Sequence, residues 1–371
     1  MQTRSVSTGP GVEIACDESG FSGSNLVRTD TKVFTHASVR LTIEDAARCV
    51  YEIRERAGDP AQEYKSARLL RARDRTLLAW LLGPTGPLFG NALVHLTDKT
   101  YFVVERVTCL LLGVHPSPLR AGLSPEPRVT RFAVTLHRDG PPTFGDGRWQ
   151  AFLDASNALL VGRTSRDGTA PVDGFFRVVD ALCASDVDGG AGRIVRMLQR
   201  AEPGEHTSRG RLLHDPKEVP ATDLFVPAIM RAVAHWSARV GPVTIVHDEQ
   251  SALTRRRIAQ LQRILLDPHA NSPGSSPQCP MSGLRGADSR TDPRVQVADL
   301  LAGLARRIAS DELDGRSNPE LTTLLRPYVD PASIWQDNRS WSALRPLSGG
   351  GSRRARVKSM PISSASSSIV S

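Results

Sequence analysis

The chain has 371 residues, 40% hydrophobic and 23% charged, an ordinary globular composition that excludes a wholly disordered or fibrous protein. Its net charge of +8 and pI near 9.6 favour acidic partners, of which nucleic acid is the commonest. The cysteines at 16, 49, 109, 183 and 279 form no C-x-x-C pair, which excludes a zinc ribbon and argues against a disulfide framework.

Residues 1–10 lack the apolar segment of a signal peptide, and the longest apolar runs, around 77–82 and 109–114, are too short to span a bilayer. A reduced cytoplasmic protein is the expectation. Residues 11–20, G-V-E-I-A-C-D-E-S-G, predict a strand. Val12, Ile14 and Cys16 alternate with Glu13, Ala15 and Asp17, the pattern of a half-buried strand, and Ser19 with Gly20 ends it in a turn. Asp17 then stands at the end of a core strand. A metal-using enzyme places a first ligand there, and an ordinary protein places a turn-capping Asp. Residues 32–41 predict a hairpin partner for this strand. Thr42 and Asp45 have capping spacing before a helix over 43–56, with Ile43, Ala46, Ala47, Val50 and Ile53 on one face.

Glu63-Tyr64-Lys65-Ser66 leads into a helix over 68–82. Glu63 and Lys65 read equally as a solvated charge pair and as site residues. Lysine occurs only at 32, 65, 99, 217 and 358, so nearly all of the 47 basic residues are arginine. A GC-rich coding genome explains such a bias, but a lysine kept against it suggests a need for a compact ammonium, and Lys65 is the one singled out. Residues 90–96 and 101–104 are strand-like, with a turn over 97–100. From 114 to 240, prolines at 116, 118, 125, 127, 141 and 142 mark loops. Helices over 149–161, 172–184, 191–200 and 223–239 make this a mainly helical insertion or lid. Arg193, Arg196 and Arg200 fit a solvated helix face better than a phosphate track.

Residues 241–246, G-P-V-T-I-V, suit a buried central strand that ends in His247-Asp248-Glu249. Ser251 can cap a helix over 252–266. Asp248 and Glu249 fit helix-start electrostatics, and equally the strand ends where α/β folds place their sites. Past a Pro/Ser-rich loop and the polar Ala287-Asp288-Ser289, residues 293–308 predict the last strong helix. Pro293 opens it, and Val297, Leu300, Leu301, Leu304 and Ile308 form its core stripe. Asp299 lies off that stripe with Gln296, Ala302, Gly303 and Arg306. Small residues in the middle of such a face let another backbone or a ligand come close. Order is expected to decline beyond Pro319. The basic, serine-rich residues 349–371 have too little apolar surface to fold, and either add non-specific nucleic-acid affinity or do nothing.

Asp17, Glu63, Asp248 and Asp299 thus fall in the order strand, helix-associated, strand end, C-terminal helix, the carboxylate order of the ribonuclease-H-like fold. Four carboxylates balance two divalent ions, and oxygen-only ligands suit Mg2+ or Mn2+ over Zn2+. Without a cation such a cluster raises its own pKa values. The segments D-E-S-G (17–20), E-Y-K-S (63–66, its serine one place early), D-E (248–249) and Q-V-A-D-L-L-A-G (296–303), with Asp288-Ser289 between, resemble the family described as domain of unknown function 3800. The resemblance spans 11–309 and implies an α/β, ribonuclease-H-like mixed central sheet flanked by helices. That domain would occupy 11–340, with the helical insertion at 114–240 and the tail at 341–371. The family is associated with mobile elements and phage defence. The expectation is therefore a Mg2+- or Mn2+-dependent nuclease acting on DNA or RNA. Asp17, Glu63, Asp248 and Asp299 would hold the metal, Lys65 would contact a phosphate, and Glu18, Glu249 and Gln296 would surround them. Glu18 is expected to point away from Asp17 if the strand continues that far. The competing expectations are a catalytically inactive nucleic-acid-binding or partner-binding protein on the same fold, and a phosphoesterase of small substrates.

Overall fold

The first strand owes its burial to its neighbours. In the computed structural model, β1 (Val12–Ser19) is the middle of a five-stranded sheet with β2 (Val33–Val39), β3 (Ala92–Asp98), β4 (Val243–Asp248) and β5 (Met281–Ala287), in the order β3-β2-β1-β4-β5. The structure describes residues 11–57, 66–112, 127–162, 170–185, 188–200, 221–249, 253–265 and 281–347. β2 pairs antiparallel with β1 and with β3, while β4 pairs parallel with β1 and with β5. The alternation in 11–20 predicts a half-buried strand, but a central strand covered on both faces has no solvent side, and Ile14 through Glu18 are all buried.

The helices are α1 (Ile43–Ala57), α2 (Ser66–Leu69), α3 (Arg75–Leu82), α4 (Lys99–Leu111), α5 (Pro127–Phe144), α6 (Asp146–Val161), α7 (Pro171–Cys183), α8 (Gly190–Gln199), α9 (Phe225–Val240), α10 (Arg255–Leu265), α11 (Pro293–Leu313), α12 (Pro319–Leu325) and α13 (Asn338–Leu344). One sheet face, with Ala15, Val33, Ala37, Val94 and Val246, packs under α11 through Val297, Leu301 and Leu304. Every residue of the predicted core stripe of α11 is buried. The other face, with Ile14, Cys16, Phe34 and Ile245, packs against Phe225, Ile229 and Trp236 of α9. Burying each such aliphatic or aromatic side chain stabilises the fold by about 1.5–3 kcal/mol. Residues of α4 to α8 form a third cluster around Leu136, Phe152, Phe175 and Leu198. No helix among the described residues is long and apolar enough to cross a membrane.

Several expectations are corrected. Residues 101–104 are helical, because Asp98 caps α4 by accepting from the N–H groups of Thr100 and Tyr101 at 2.9 and 3.2 Å. The 68–82 helix is broken: Arg71 and Asp74 donate three residues back, to Arg68 and Arg71, and this tightens the chain into a 3-10 turn over Ala72–Asp74 before α3. Ile43 and Ala47 face solvent, so the buried stripe of α1 is Ala46, Cys49, Val50 and Ile53. Its cap stands, with Asp45 N donating to Thr42 Oγ1 at 3.0 Å. Pro141 and Pro142 lie in the last part of α5 and not in a loop, where Gly140 packs so closely on Trp149 that a Cβ would come within 2.3 Å of the indole. The helix placed at 252–266 begins only at Arg255, with Thr254 Oγ1 accepting from Arg257 N at 3.3 Å, and Ser251 lies outside the described residues. β5 is a strand the sequence hides behind two glycines and an arginine. Order does not decline at Pro319: Leu321, Leu325, Tyr328, Trp335 and Leu344 are buried in the α11-side core, and Tyr328 Oη donates to Leu82 O at 3.0 Å. Residues 349–371 lie outside the described residues.

Candidate metal centre

Parallel pairing sets the site. Cys16 of β1 stands beside His247 of β4, so Asp17 and Asp248, one residue further on, reach the same carboxyl end of the sheet. Side-chain alternation turns both toward α11. Both are buried, at 4% and 7% exposure. Glu18 N donates to Asp17 Oδ1 at 2.7 Å, and Ser289 N donates to Asp248 Oδ1 at 3.3 Å. Gln296 of α11 fixes that second contact by donating its Nε2 to Ser289 O at 2.6 Å.

Asp299 stands on α11 with its side chain exposed. Burial, followed by the charges of Glu18, Asp299 and Asp248, lifts the Asp17 carboxyl well above the usual carboxylate range, against the pull of the Glu18 N–H. The charges of Asp248 and Asp299 therefore reach Asp17. Glu63 and Lys65 lie outside the described residues. The small-residue face of α11 does admit a close neighbour: a Cβ on Gly303 would fall 2.2 Å from Ser66 Oγ, at the start of α2.

Asp17 also belongs to a compact ligand group. Glu18, opposite His36 in the antiparallel register, turns to the α9 face with His247. At the strand tip the faces converge, and one ligand atom each from Asp17, Glu18 and His247 lies within 4.8 Å of the others. Glu18 thus points to the other face, as alternation requires, yet its carboxylate returns to the edge where Asp17 sits. Glu18 Oε2 and His247 Nε2 are 3.8 Å apart, and neither has a hydrogen-bond partner among the described residues. His247 Nδ1 lies 3.3 Å from Asp248 O, so the tautomer with hydrogen on Nδ1 leaves a bare Nε2 lone pair facing Glu18. Burial pushes the His247 pKa down despite Glu18 and Asp248, which keeps the ring neutral and able to ligate. An unmade buried polar contact costs about 1–3 kcal/mol. A divalent cation between the two atoms would satisfy both, so the residues present fit a metal ion.

Behind this pair, His36 and His95 continue the row across β2 and β3. The His36 and His247 rings are 5.3 Å apart. His95 Nδ1 meets Asp330 Oδ2 at 3.0 Å, and Arg231 donates to both Asp330 oxygens at 2.9 and 3.0 Å.

Glu249 does not join the carboxylates. It pairs with Arg255 at 2.8 Å, donates its N–H to Ala287 O at 3.0 Å and lies over Gly286, tying β4 to β5 and α10. The sequence reading gave His247 no role. The signal was its place beside Asp248 at the end of a buried strand, where a polar ring needs a partner. Compared with known proteins, the chain matches no family model, no curated protein and no solved structure.

Proposed function

We propose that the protein is a divalent-metal-dependent hydrolase of phosphodiester bonds, a nuclease acting on DNA or RNA. The observation that carries this reading is Asp17, a buried carboxylate that forms a ligand group with Glu18 and His247 and feels the charges of Asp248 and Asp299. Mg2+ or Mn2+ bound there supplies Lewis acidity toward a phosphoryl oxygen and toward water. The chain's own contribution is positioning. Asp17 is oriented by the Glu18 N–H and Asp248 by the Ser289 N–H, which Gln296 holds in place. Asp299, exposed on α11, marks the side from which a substrate phosphate can approach. Glu63 and Lys65 are proposed to complete the site from the segment before α2. The mixed sheet flanked by helices is compatible with a ribonuclease-H-like fold, and the net charge of +8 suits a polyanionic substrate.

The test is cleavage of labelled single- and double-stranded DNA, RNA and hybrid substrates with Mg2+, Mn2+ or EDTA. Cleavage that needs metal and disappears in Asp17→Ala and Asp299→Ala is expected. No cleavage of any substrate, or cleavage that survives both substitutions, overturns the reading. Salt-sensitive binding without cleavage would identify an inactive nucleic-acid-binding protein.

A further inference from the structure

Next to the carboxylates, the end of β1 carries the opposite charge. Arg306 follows Asp299 on α11 by two helical turns, about 10 Å along the same side of the helix. Its Nε donates to Ser19 Oγ at 2.9 Å, and Ser19 is two residues beyond Asp17 on the same strand face. Gly20 makes room: its φ is +88°, and a Cβ there would lie 2.8 Å from Arg306 Cδ and 2.3 Å from Val33 O. The two Nη groups of Arg306 donate to no described residue, so the fork of the guanidinium is open.

Lys99, the first residue of α4, is fully buried nearby. Its Nζ donates to Thr31 Oγ1, Ser22 Oγ and Thr29 Oγ1 at 2.9, 3.0 and 3.4 Å. Thr31 Oγ1 donates in turn to Gly20 O at 3.2 Å, so Lys99 holds the β1–β2 connection against the end of β1. Burial, and then the charge of Arg306, brings Lys99 down to about 8. Arg306 is likewise lowered, by burial and then by Arg307. No carboxylate offsets either cation among the described residues. Arg294, Arg231 and Arg257, by contrast, are paired: Arg294 with Asp292 and Glu13, Arg231 with Asp330, Arg257 with Asp223. Lys99 is buried and Arg306 half-buried, and neighbouring cations without a counter-ion are costly unless an anion completes them.

We propose that Arg306 binds a backbone phosphate of a nucleic-acid strand, flanking the phosphodiester at Asp17 and Asp299, with Ser19 holding its guanidinium and Lys99 holding the connection behind it. The identity of the anion as a strand phosphate rests on the nuclease reading. The open fork matches a phosphate in bidentate geometry, and such contacts set register without reading sequence.

The test uses the full chain carrying Asp17→Asn, in EDTA, so that binding is measured apart from cleavage. Anisotropy of labelled single-stranded DNA and RNA is followed from about 50 to 200 mM salt. Adding Arg306→Ala should weaken binding of every sequence about tenfold at low salt and flatten the log K against log salt slope by about 1. Arg306→Lys should recover part of the affinity. Ser19→Ala, which removes only the anchoring hydroxyl, should weaken binding by a smaller factor and remains informative if Arg306→Ala fails to fold. Unchanged affinity and slope in folded Arg306→Ala overturn the proposal, even if the parent chain cleaves nucleic acid. A chain that binds inorganic phosphate through Arg306 but no strand overturns it as well. A slope change in a chain that cleaves nothing upholds it while the nuclease reading fails.

Discussion

His247 Nε2 faces Glu18 Oε2 across 3.8 Å of buried space, and neither atom has a hydrogen-bond partner among the described residues. An imidazole nitrogen changes which ion such a place prefers. Carboxylates alone suit Mg2+, whereas a nitrogen donor raises the affinity for transition ions such as Mn2+. Mn2+ is therefore expected to raise the Tm more than Mg2+ at equal concentration. At about a hundredfold excess over Kd, binding contributes about 2.7 kcal/mol, several degrees for a chain of this size. His247→Ala should erase the difference between the ions while leaving a smaller shift from the remaining carboxylates. Thermal scanning with each ion checks this, and equal shifts in both proteins would show that His247 takes no part.

Asp17 is a liability in the metal-free protein. Burial and the charges of Glu18, Asp299 and Asp248 raise its pKa. A carboxyl raised in the folded state adds stability that is complete below its unfolded pKa of about 3.9 and is lost as pH rises through the folded value. At neutral pH this buried carboxyl then works against folding. Asp17→Asn should raise the Tm of the metal-free protein by roughly 2–6 °C at pH 7. The gain should shrink toward pH 4, and the Tm shift on adding Mn2+ should disappear. A Tm for Asp17→Asn at or below that of the parent at pH 7 in EDTA would refute the electrostatic account.

The two carboxylate strands and the last helix were legible because hydrophobic periodicity marks buried elements, and Asp17, Asp248 and Asp299 stand where the periodicity stops or is interrupted. His247 was not legible as a ligand. A buried histidine in a β-branched run has the same local pattern whether its ring is satisfied by the core or aimed at a carboxylate on the next strand. Lys65 drew notice as a retained lysine, yet among the described residues the lysine with the most unusual surroundings is Lys99. Its burial is set by helix α4, and that segment reads as a strand because Val103 and Val104 are β-branched. β5 was hidden because Gly283 and Gly286 break its alternation; at Gly286 the missing Cβ makes room for Glu249.

Asp330 anchors the far end of the histidine row and is expected to act on stability alone. Burial by itself raises its pKa, but the hydrogen bonds from His95 and Arg231 outweigh it and hold the carboxyl far below the usual range. A depressed carboxylate adds stability that is present above its unfolded pKa of about 3.9 and is lost as pH falls toward the folded value. Asp330→Asn leaves the Arg231 charge without its partner and should cost about 3–5 kcal/mol at pH 7. It should also flatten the acid limb of the stability curve below about pH 4. Urea denaturation across pH measures both, and a loss under about 1 kcal/mol at pH 7 would count against the paired network.

Gly303 is where α11 meets α2, the short helix that follows Glu63 and Lys65. In an ordinary helix interior, Gly to Ala gains about 1 kcal/mol. Here the new Cβ would fall 2.2 Å from Ser66 Oγ and 2.8 Å from Ser66 Cβ. The hydroxyl can rotate away, but the Cβ is fixed to the backbone of α2, so the helix must shift. Overpacking of this kind costs about 1–3 kcal/mol, enough to reverse the helix gain. Gly303→Ala should therefore be destabilised, and adding Ser66→Gly should recover most of the loss, although Ser66→Gly alone weakens its own helix start. Urea melts of the single and double variants give the coupling between the two positions. Because α2 continues from the segment of Glu63 and Lys65, Gly303→Ala should also lower the cleavage rate more than its stability loss explains, and Ser66→Gly should restore the rate in parallel. A Gly303→Ala protein as stable as the parent, or a double variant that recovers neither stability nor rate, would show that this contact does not set the position of α2.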